Sequence, residues 1–330
     1  MSESNFQSFG GKDSLLKKFS SSSTQKEKKQ ARKILLLIFG LTVFSVVLAI
    51  AYRELPSFFK GLFKPKTVIS KKFLQKEPTV TPTPPFEKEK QSLLELIKPF
   101  RGTYGVFFQD LESGKSFSIN GETKMQAASL NKLPVMLALY REAEAGRVDL
   151  DAVYRLQADD KRNGAGSLQG RPVGYEITYR QMLELMGKQS DNTAFNIVSR
   201  TLGSEKIQAL EDQLGMSRSS FADWEMTPQD VGTFFRKLFQ EKIINEKDKQ
   251  EMLSFLTDTI WEDRIPAGIP KGVRVAHKIG TETGVISDAG IIFSPKPFIL
   301  VIMTQEANEI EAKKALPEIS AKVWEFFGSQ

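Results

Sequence analysis

Three short polar clusters stand in order along one stretch of the chain: Ser129-Leu130-Asn131-Lys132, Ser190-Asp191-Asn192 and Lys278-Ile279-Gly280-Thr281. The first sets a hydroxyl and an amine three residues apart, on one face of a helix if a helix begins there. The second adds another hydroxyl and an amide, and the third another lysine. A serine becomes a nucleophile when a neighbouring base takes its proton. An ordinary lysine is charged at neutral pH, but burial beside a second cation disfavours that charge, and Lys278 is such a cation for Lys132. Ser129 then reads as nucleophile and Lys132 as its base. Ser190 relays a proton to a departing nitrogen, and Lys278 lowers the cost of the transfer. Asn192 offers an amide to orient substrate and Lys132. The backbone N–H groups of Ser129 and Thr281, at a helix start and a strand edge, suit a developing oxyanion. The chemistry is acyl transfer by a Ser–Lys site.

Singly, the clusters say little. Ser-x-x-Lys recurs at Ser14/Lys17 and Ser23/Lys26 within a polar tail. Ser129 differs because the apolar run from Leu133 to Tyr140 follows it and reads as a buried helix. A serine at a helix start is commonly a cap; the two later clusters make catalysis the better reading. Composition removes rivals. With no cysteine, a thiol nucleophile, a disulfide framework and thiolate metal sites are excluded. The single histidine, His277, excludes a multi-histidine metal centre and leaves one candidate for a Ser–His–acid triad. It directly precedes Lys278 in a strand-like run, so the two side chains take opposite faces and His277 reads as structural.

The net charge of +6 is unevenly spread. Residues 1–88 hold 16 Lys/Arg against 6 Asp/Glu, and the remainder holds 30 against 34. The globular part is therefore mildly acidic, which argues against nucleic acid as a partner and for a membrane-oriented N-terminus.

Ile34 to Tyr52 is a 19-residue run without charge, long enough as a helix to cross a bilayer core of roughly 30 Å. The eight Lys/Arg of residues 1–33 precede it, so the positive-inside rule keeps that tail cytoplasmic and sends the C-terminus out. A cleaved signal peptide ending near Ala49-Ile50-Ala51 is the alternative, but the basic lead is long for one. The expected organisation is a basic tail (1–33), a transmembrane signal anchor (34–52), a stalk (53–88) and one extracytoplasmic domain (89–330). The stalk contains the extended Thr79-Val80-Thr81-Pro82-Thr83-Pro84-Pro85 spacer.

The elements that must position the clusters follow from periodicity. Ser92–Lys98 reads as a helix. Thr103–Gln109 and Lys115–Ile119 alternate as strands around the turn Asp110–Gly114. The Ser129 helix runs to about Ala145 and ends at Gly146. Residues 178–256 are helix-rich, with a start at Thr227-Pro228. Arg274–Thr281, Val285–Phe293 and Phe298–Thr304 are three consecutive strands, and Glu309–Phe327 a final helix. The predicted fold class is α/β of the α+β type: an antiparallel sheet flanked by the terminal helices on one side and an all-helical lobe on the other, with the clusters in the cleft between.

In this arrangement the domain, over roughly residues 98–328, resembles the class A β-lactamase and penicillin-binding-protein superfamily. The Ser-x-x-Lys, Ser-Asp-Asn and Lys-x-Gly order is that family's signature. Gly164-Ala165-Gly166-Ser167-Leu168, Leu183-Glu184-Leu185-Met186, the stretch around Thr227-Pro228 and Ala289-Gly290-Ile291-Ile292 are similar beyond it. The resemblance implies a serine hydrolase, without metal or organic cofactor, whose Ser129 is acylated by β-lactams or D-Ala-D-Ala peptides; with the 34–52 span this makes a membrane-anchored enzyme. It places Asn192, Gly280 and Thr281 on the substrate side. A D-alanyl-D-alanine peptidase of cell-wall peptides, and a catalytically impaired wall-binding or sensor domain, are the alternatives. Two departures stand out. Ile279 occupies a position where the family has Thr or Ser. The family's long loop bearing a deacylating glutamate is shortened to Phe221-Ala222-Asp223-Trp224-Glu225-Met226. Glu225 is the candidate for that base, but it stands so close to the helix start at Thr227-Pro228 that a surface or loop-neck glutamate is the better reading.

Overall fold

The computed structural model describes residue 33, residues 36–45 and residues 86–328. The chain divides into two units, Met1–Thr79 and Val80–Gln330. In the first, residues 36–45 are helical and exposed. Among the described residues no helix is long and apolar enough to cross a membrane. The expected N-terminal transmembrane helix is thus not supported by the described residues, which cover part of that span. Residues 34–35 and 46–52 of that span, the tail before residue 33, and the stalk from 53 to 85 lie outside the described residues.

In the second unit, helix α1 (Glu87–Ile97) starts within the stretch read as stalk. Phe86 precedes it and sets its ring edge-on against Phe108 and Phe327, at 5.6 and 4.9 Å. This aromatic packing ends the spacer two residues earlier than charge and proline content indicate. Strands β1 (Thr103–Asp110) and β2 (Ser116–Ile119) form the expected hairpin. After β3 (Met125–Gln126) come a 3-10 turn (Ala128–Asn131) and α2 (Lys132–Glu144), whose residues 132–140 are all buried. The helical lobe continues through a small ribbon, β4 (Val153–Arg155) with β5 (Glu176–Thr178), then α3 (Tyr179–Lys188), α4 (Asn192–Leu202) and α5 (Ser204–Gln213). Strand β6 (Glu225–Met226), α6 (Pro228–Gln240) and α7 (Glu246–Phe255) complete it. Strands β7 (Val275–Glu282), β8 (Val285–Ile292) and β9 (Phe298–Gln305) precede α8 (Glu309–Phe327).

The sheet order is β2-β1-β9-β8-β7, with every pair antiparallel. Its central strands are apolar on both faces, and period-two alternation divides them between two cores. Val106, Phe108, Leu300 and Ile302 pack with α1 and α8 residues such as Leu93, Leu316 and Ile319. Phe107, Ile299, Val301 and Met303 pack with the helical lobe. Caps fix where the lobe's helices begin: Thr178 and Gln181 form a reciprocal capping box, Asp191 caps α4, and Thr227 caps α6 with Pro228 in the first turn.

Candidate active site

Ser129 lies in the 3-10 turn rather than in the α-helix proper, and Lys132 is the first residue of α2. Ala128, just before the nucleophile candidate, is left-handed at φ 46, a conformation that costs a non-glycine residue energy and persists only where surroundings impose it. Strand β7 is part of that surrounding. A Cβ at Gly280 would meet Ala127 O at 3.0 Å, so a larger residue there would push the strand and the turn apart by a few tenths of an ångström.

The three clusters converge. Lys132 Nζ lies 2.8 Å from Ser129 Oγ and 2.9 Å from Asn192 Oδ1. Lys278 Nζ donates to Ser190 Oγ at 2.9 Å and to Ile279 O at 3.1 Å. Ser129, Lys132, Ser190, Asn192, Ile279 and Thr281 line one cleft of about 780 Å³ between sheet and lobe. Both amines are buried. Burial pushes Lys132 down to about 8, against the opposing charges of Asp191 and Glu282. Burial pushes Lys278 well below the usual lysine range, and the charge of Lys132 adds to this. The expectation that Lys278 depresses Lys132 is thus inverted: dehydration acts first, and the mutual repulsion falls on Lys278.

The second cluster is braced from outside. Asp191 Oδ1 caps α4 through Ala194 N at 2.9 Å, while Oδ2 accepts from Leu168 N at 2.8 Å. Asn192 N donates to Ala165 O and its Nδ2 to Asn163 O, both at 3.0 Å. Gly166, at φ +99, lets the loop close: a Cβ there would fall 2.1 Å from Asp191 Oδ2. The Gly164–Leu168 segment singled out in sequence is therefore a clamp on Ser190–Asn192.

Glu225 does not join the cluster. Ser220 and Glu225 pair across a tight turn whose Trp224 is left-handed at φ 57, and Glu225 pairs with Gln126 of β3. Its carboxylate sits 3.0 Å from Lys124 Nζ with over a third of the side chain exposed, away from the cleft lining. The shortened loop spends its few residues on backbone pairing and has none left to carry an acid inward.

His277 is buried and structural, as its place in the strand implies: Nδ1 is 2.8 Å from Asp288 Oδ1, and Nε2 is 3.2 Å from Glu262 Oε1.

Sequence reasoning missed Arg264, which is 2% exposed. Its Nη1 donates to Gly280 O at 2.8 Å and Ser287 O at 2.6 Å, and its Nη2 to Thr281 Oγ1 at 2.5 Å. It thus supports the cleft-facing end of β7 and itself lines the cleft. Phe195 and Trp224, edge-to-face at 5.5 Å, form an aromatic wall of the same cleft. Ile279 is 5% exposed and faces the cleft with no hydroxyl to offer.

A model of the beta-lactamase enzyme family matches residues 87–327. Beta-lactamases of Streptomyces albus G and Streptomyces fradiae are similar, at 22% and 23% identity over 63% and 66% of this chain and 74% and 79% of theirs. The solved structure of PBP-A superposes with a TM-score of 0.70 at 25% identity, covering 74% of this chain and 97% of that one. A single-residue mutant of PBP-A, captured as an acyl-enzyme complex with penicillin G, gives 0.68 at 25% identity over 74% and 97%. The beta-lactamase of Sphaerobacter thermophilus gives 0.69 at 25% identity over 73% and 97%. With the family model spanning the whole sheet and lobe and the Ser–Lys geometry inside them, this chain belongs to the beta-lactamase enzyme family and is a class A beta-lactamase-like serine hydrolase.

Proposed function

We propose that Ser129 is acylated by β-lactams and by D-Ala-D-Ala-like amides, and that the resulting acyl-enzyme is slow to hydrolyse. The observation that carries this reading is the pair of short contacts, Lys132 Nζ to Ser129 Oγ at 2.8 Å and Lys278 Nζ to Ser190 Oγ at 2.9 Å. Neutral Lys132 takes the hydroxyl proton as Ser129 Oγ bonds to the carbonyl carbon. The N–H groups of Ser129 and Thr281 receive the oxyanion. The C–N bond then breaks, and the nitrogen takes a proton from Ser190, which is resupplied by the lysine pair. Asn192 and Gly280 border the acyl group, and Arg264 with Thr281 receives a substrate carboxylate.

Slow release is the reading favoured by Glu225, whose carboxylate is engaged with Lys124 outside the cleft. For the same reason a D-alanyl-D-alanine peptidase of cell-wall peptides stands beside the beta-lactamase reading, and a wall-binding sensor beside both. We further propose that residues 34–52 anchor the domain outside the cytoplasmic membrane with residues 1–33 inside. The uncharged run and its basic lead support this. Protease treatment of whole cells should leave the tail intact; cleavage within residues 1–33 would refute that topology.

Acylation is tested by incubating the purified protein with a fluorescent penicillin and following mass and label. A persistent adduct on Ser129 supports the peptidase-like form, and rapid loss with hydrolysed product supports efficient drug hydrolysis. Reversible binding without an adduct leaves only the sensor.

A further inference from the structure

The base candidate, Lys132, is enclosed on three sides. Ser129 Oγ and Asn192 Oδ1 take two hydrogen-bonding directions of Nζ, at 2.8 and 2.9 Å. The ring of Phe195 takes the third, with its centroid 5.1 Å from Nζ. A water hydrogen-bonded to Nζ on that side, at roughly 2.8 Å, would lie inside the contact distance of the ring carbons. The ring offers it no acceptor comparable to oxygen and no donor directed at it.

Phe195 is held firmly in this place. It is 8% exposed, and Trp224 and Phe221 lie 5.5 and 6.4 Å from it, ring to ring. Trp224 is pinned in turn by its carbonyl, which accepts from Ala127 N at 2.8 Å, two residues before Ser129. The tight turn that points Glu225 outward therefore also presses an aromatic wall against the amine. One short segment removes the acid from the cleft and closes the space where water would replace it.

We infer that Phe195 sets the lifetime of the acyl-enzyme by covering the open side of the Lys132 amine and keeping hydrolytic water from it. The inference rests on the proposed acylation of Ser129 and adds a determinant of the second half-reaction. After acylation Ser129 Oγ is an ester oxygen and Lys132 is the nearest base. Hydrolysis needs a water that bonds to the acyl carbon as Lys132 takes its proton, with Ser129 Oγ leaving and recovering a proton from the same amine. The ring blocks the first of these contacts. Phe195 is thus a specificity-determining residue, dividing the reaction between trapping and turnover.

The test compares the full-length protein with Phe195→Ala and Phe195→Leu, using a fluorescent penicillin and intact-mass time courses. The readout is the ratio of the adduct-loss rate to the adduct-formation rate. That ratio should rise at least tenfold in Phe195→Ala and stay within about threefold of wild type in Phe195→Leu, whose bulk still covers the amine. Adduct loss in Phe195→Ala should also acquire the pH dependence of adduct formation, since one amine would serve both steps; a general loosening of the fold would not produce this. A ratio unchanged in a Phe195→Ala protein that melts cooperatively overturns the inference. If that variant fails to fold, Phe195→Val, shorter than leucine, takes its place under the same criterion. Absence of any adduct on wild type defeats the acylation reading itself, whereas an adduct with an unaltered ratio defeats only the role of Phe195.

Discussion

His277 and Asp288 join adjacent strands β7 and β8 through a contact of 2.8 Å between Nδ1 and a carboxylate oxygen, fully out of solvent. Glu262 meets the other ring nitrogen, so each nitrogen donates to a carboxylate and the imidazole is held as a cation. Asp288 also accepts from Ile265 N at 2.9 Å, tying down the segment that delivers Arg264 to the cleft. Burial works against the charge, but Asp288 and then Glu262 outweigh it and push His277 up to about 9.

A folded value raised from 6.5 to about 9 means that this contribution is complete below pH 6.5 and is lost as pH climbs through 9. Lys132 and Lys278, pushed down, act in the opposite sense, so the comparison must be made against a variant. Urea unfolding should find His277→Gln less stable than wild type by on the order of 3 kcal/mol at pH 6. The difference should shrink as pH rises from about 6.5 to 9. A constant difference would show that the histidine is held neutral.

Adduct formation with a penicillin should rise with pH and level off just above 8, following deprotonation of Lys132. Lys132→Arg cannot lose its proton at these pH values, and its acylation rate should fall by about 10²–10⁴ with no such rise. A flat profile in wild type would remove Lys132 as the base.

Ile279→Thr places a hydroxyl on the cleft beside Thr281 and Arg264. One added hydrogen bond of about 1 kcal/mol to a substrate carboxylate should raise the acylation rate constant about fivefold for penicillins, and not for an ester probe lacking the carboxylate. An equal effect on both probes would mean that Ile279 acts through packing.

Glu225→Gln should leave the adduct lifetime within about twofold of wild type. Its ion pair with Lys124 is half open to solvent, so stability should change by no more than about 1 kcal/mol. A severalfold longer lifetime would return Glu225 to the mechanism.

The strands from β7 to β9 and helix α8 were legible because their residues carry one message: runs rich in Val, Ile and Phe bounded by turns, and a helical stripe of Ala312, Ala315, Leu316, Ile319 and Val323 ending near Phe327. The start of α1 was less so, because Phe86 follows a proline-rich spacer and its place is decided by rings more than twenty residues away. In the site, the three clusters declared themselves by residue type and order. Arg264 did not, since an arginine in a turn-rich stretch becomes a buried support only through carbonyls of β7 and β8. Nothing in the sequence separates Phe195 from any other apolar helix residue; its place against Lys132 and Trp224 comes only from the fold. The outward course of Glu225 depends on a two-residue pairing with β3, which has no signature in sequence.

Covalent chemistry at one atom, Ser129 Oγ, is the central claim. Intact-mass analysis of the protein after exposure to penicillin, followed by peptide mapping, should find one equivalent of acyl group on Ser129. Ser129→Ala, folded to the same melting temperature, should give none. Label retained by Ser129→Ala, or mapped to any other residue, would contradict it.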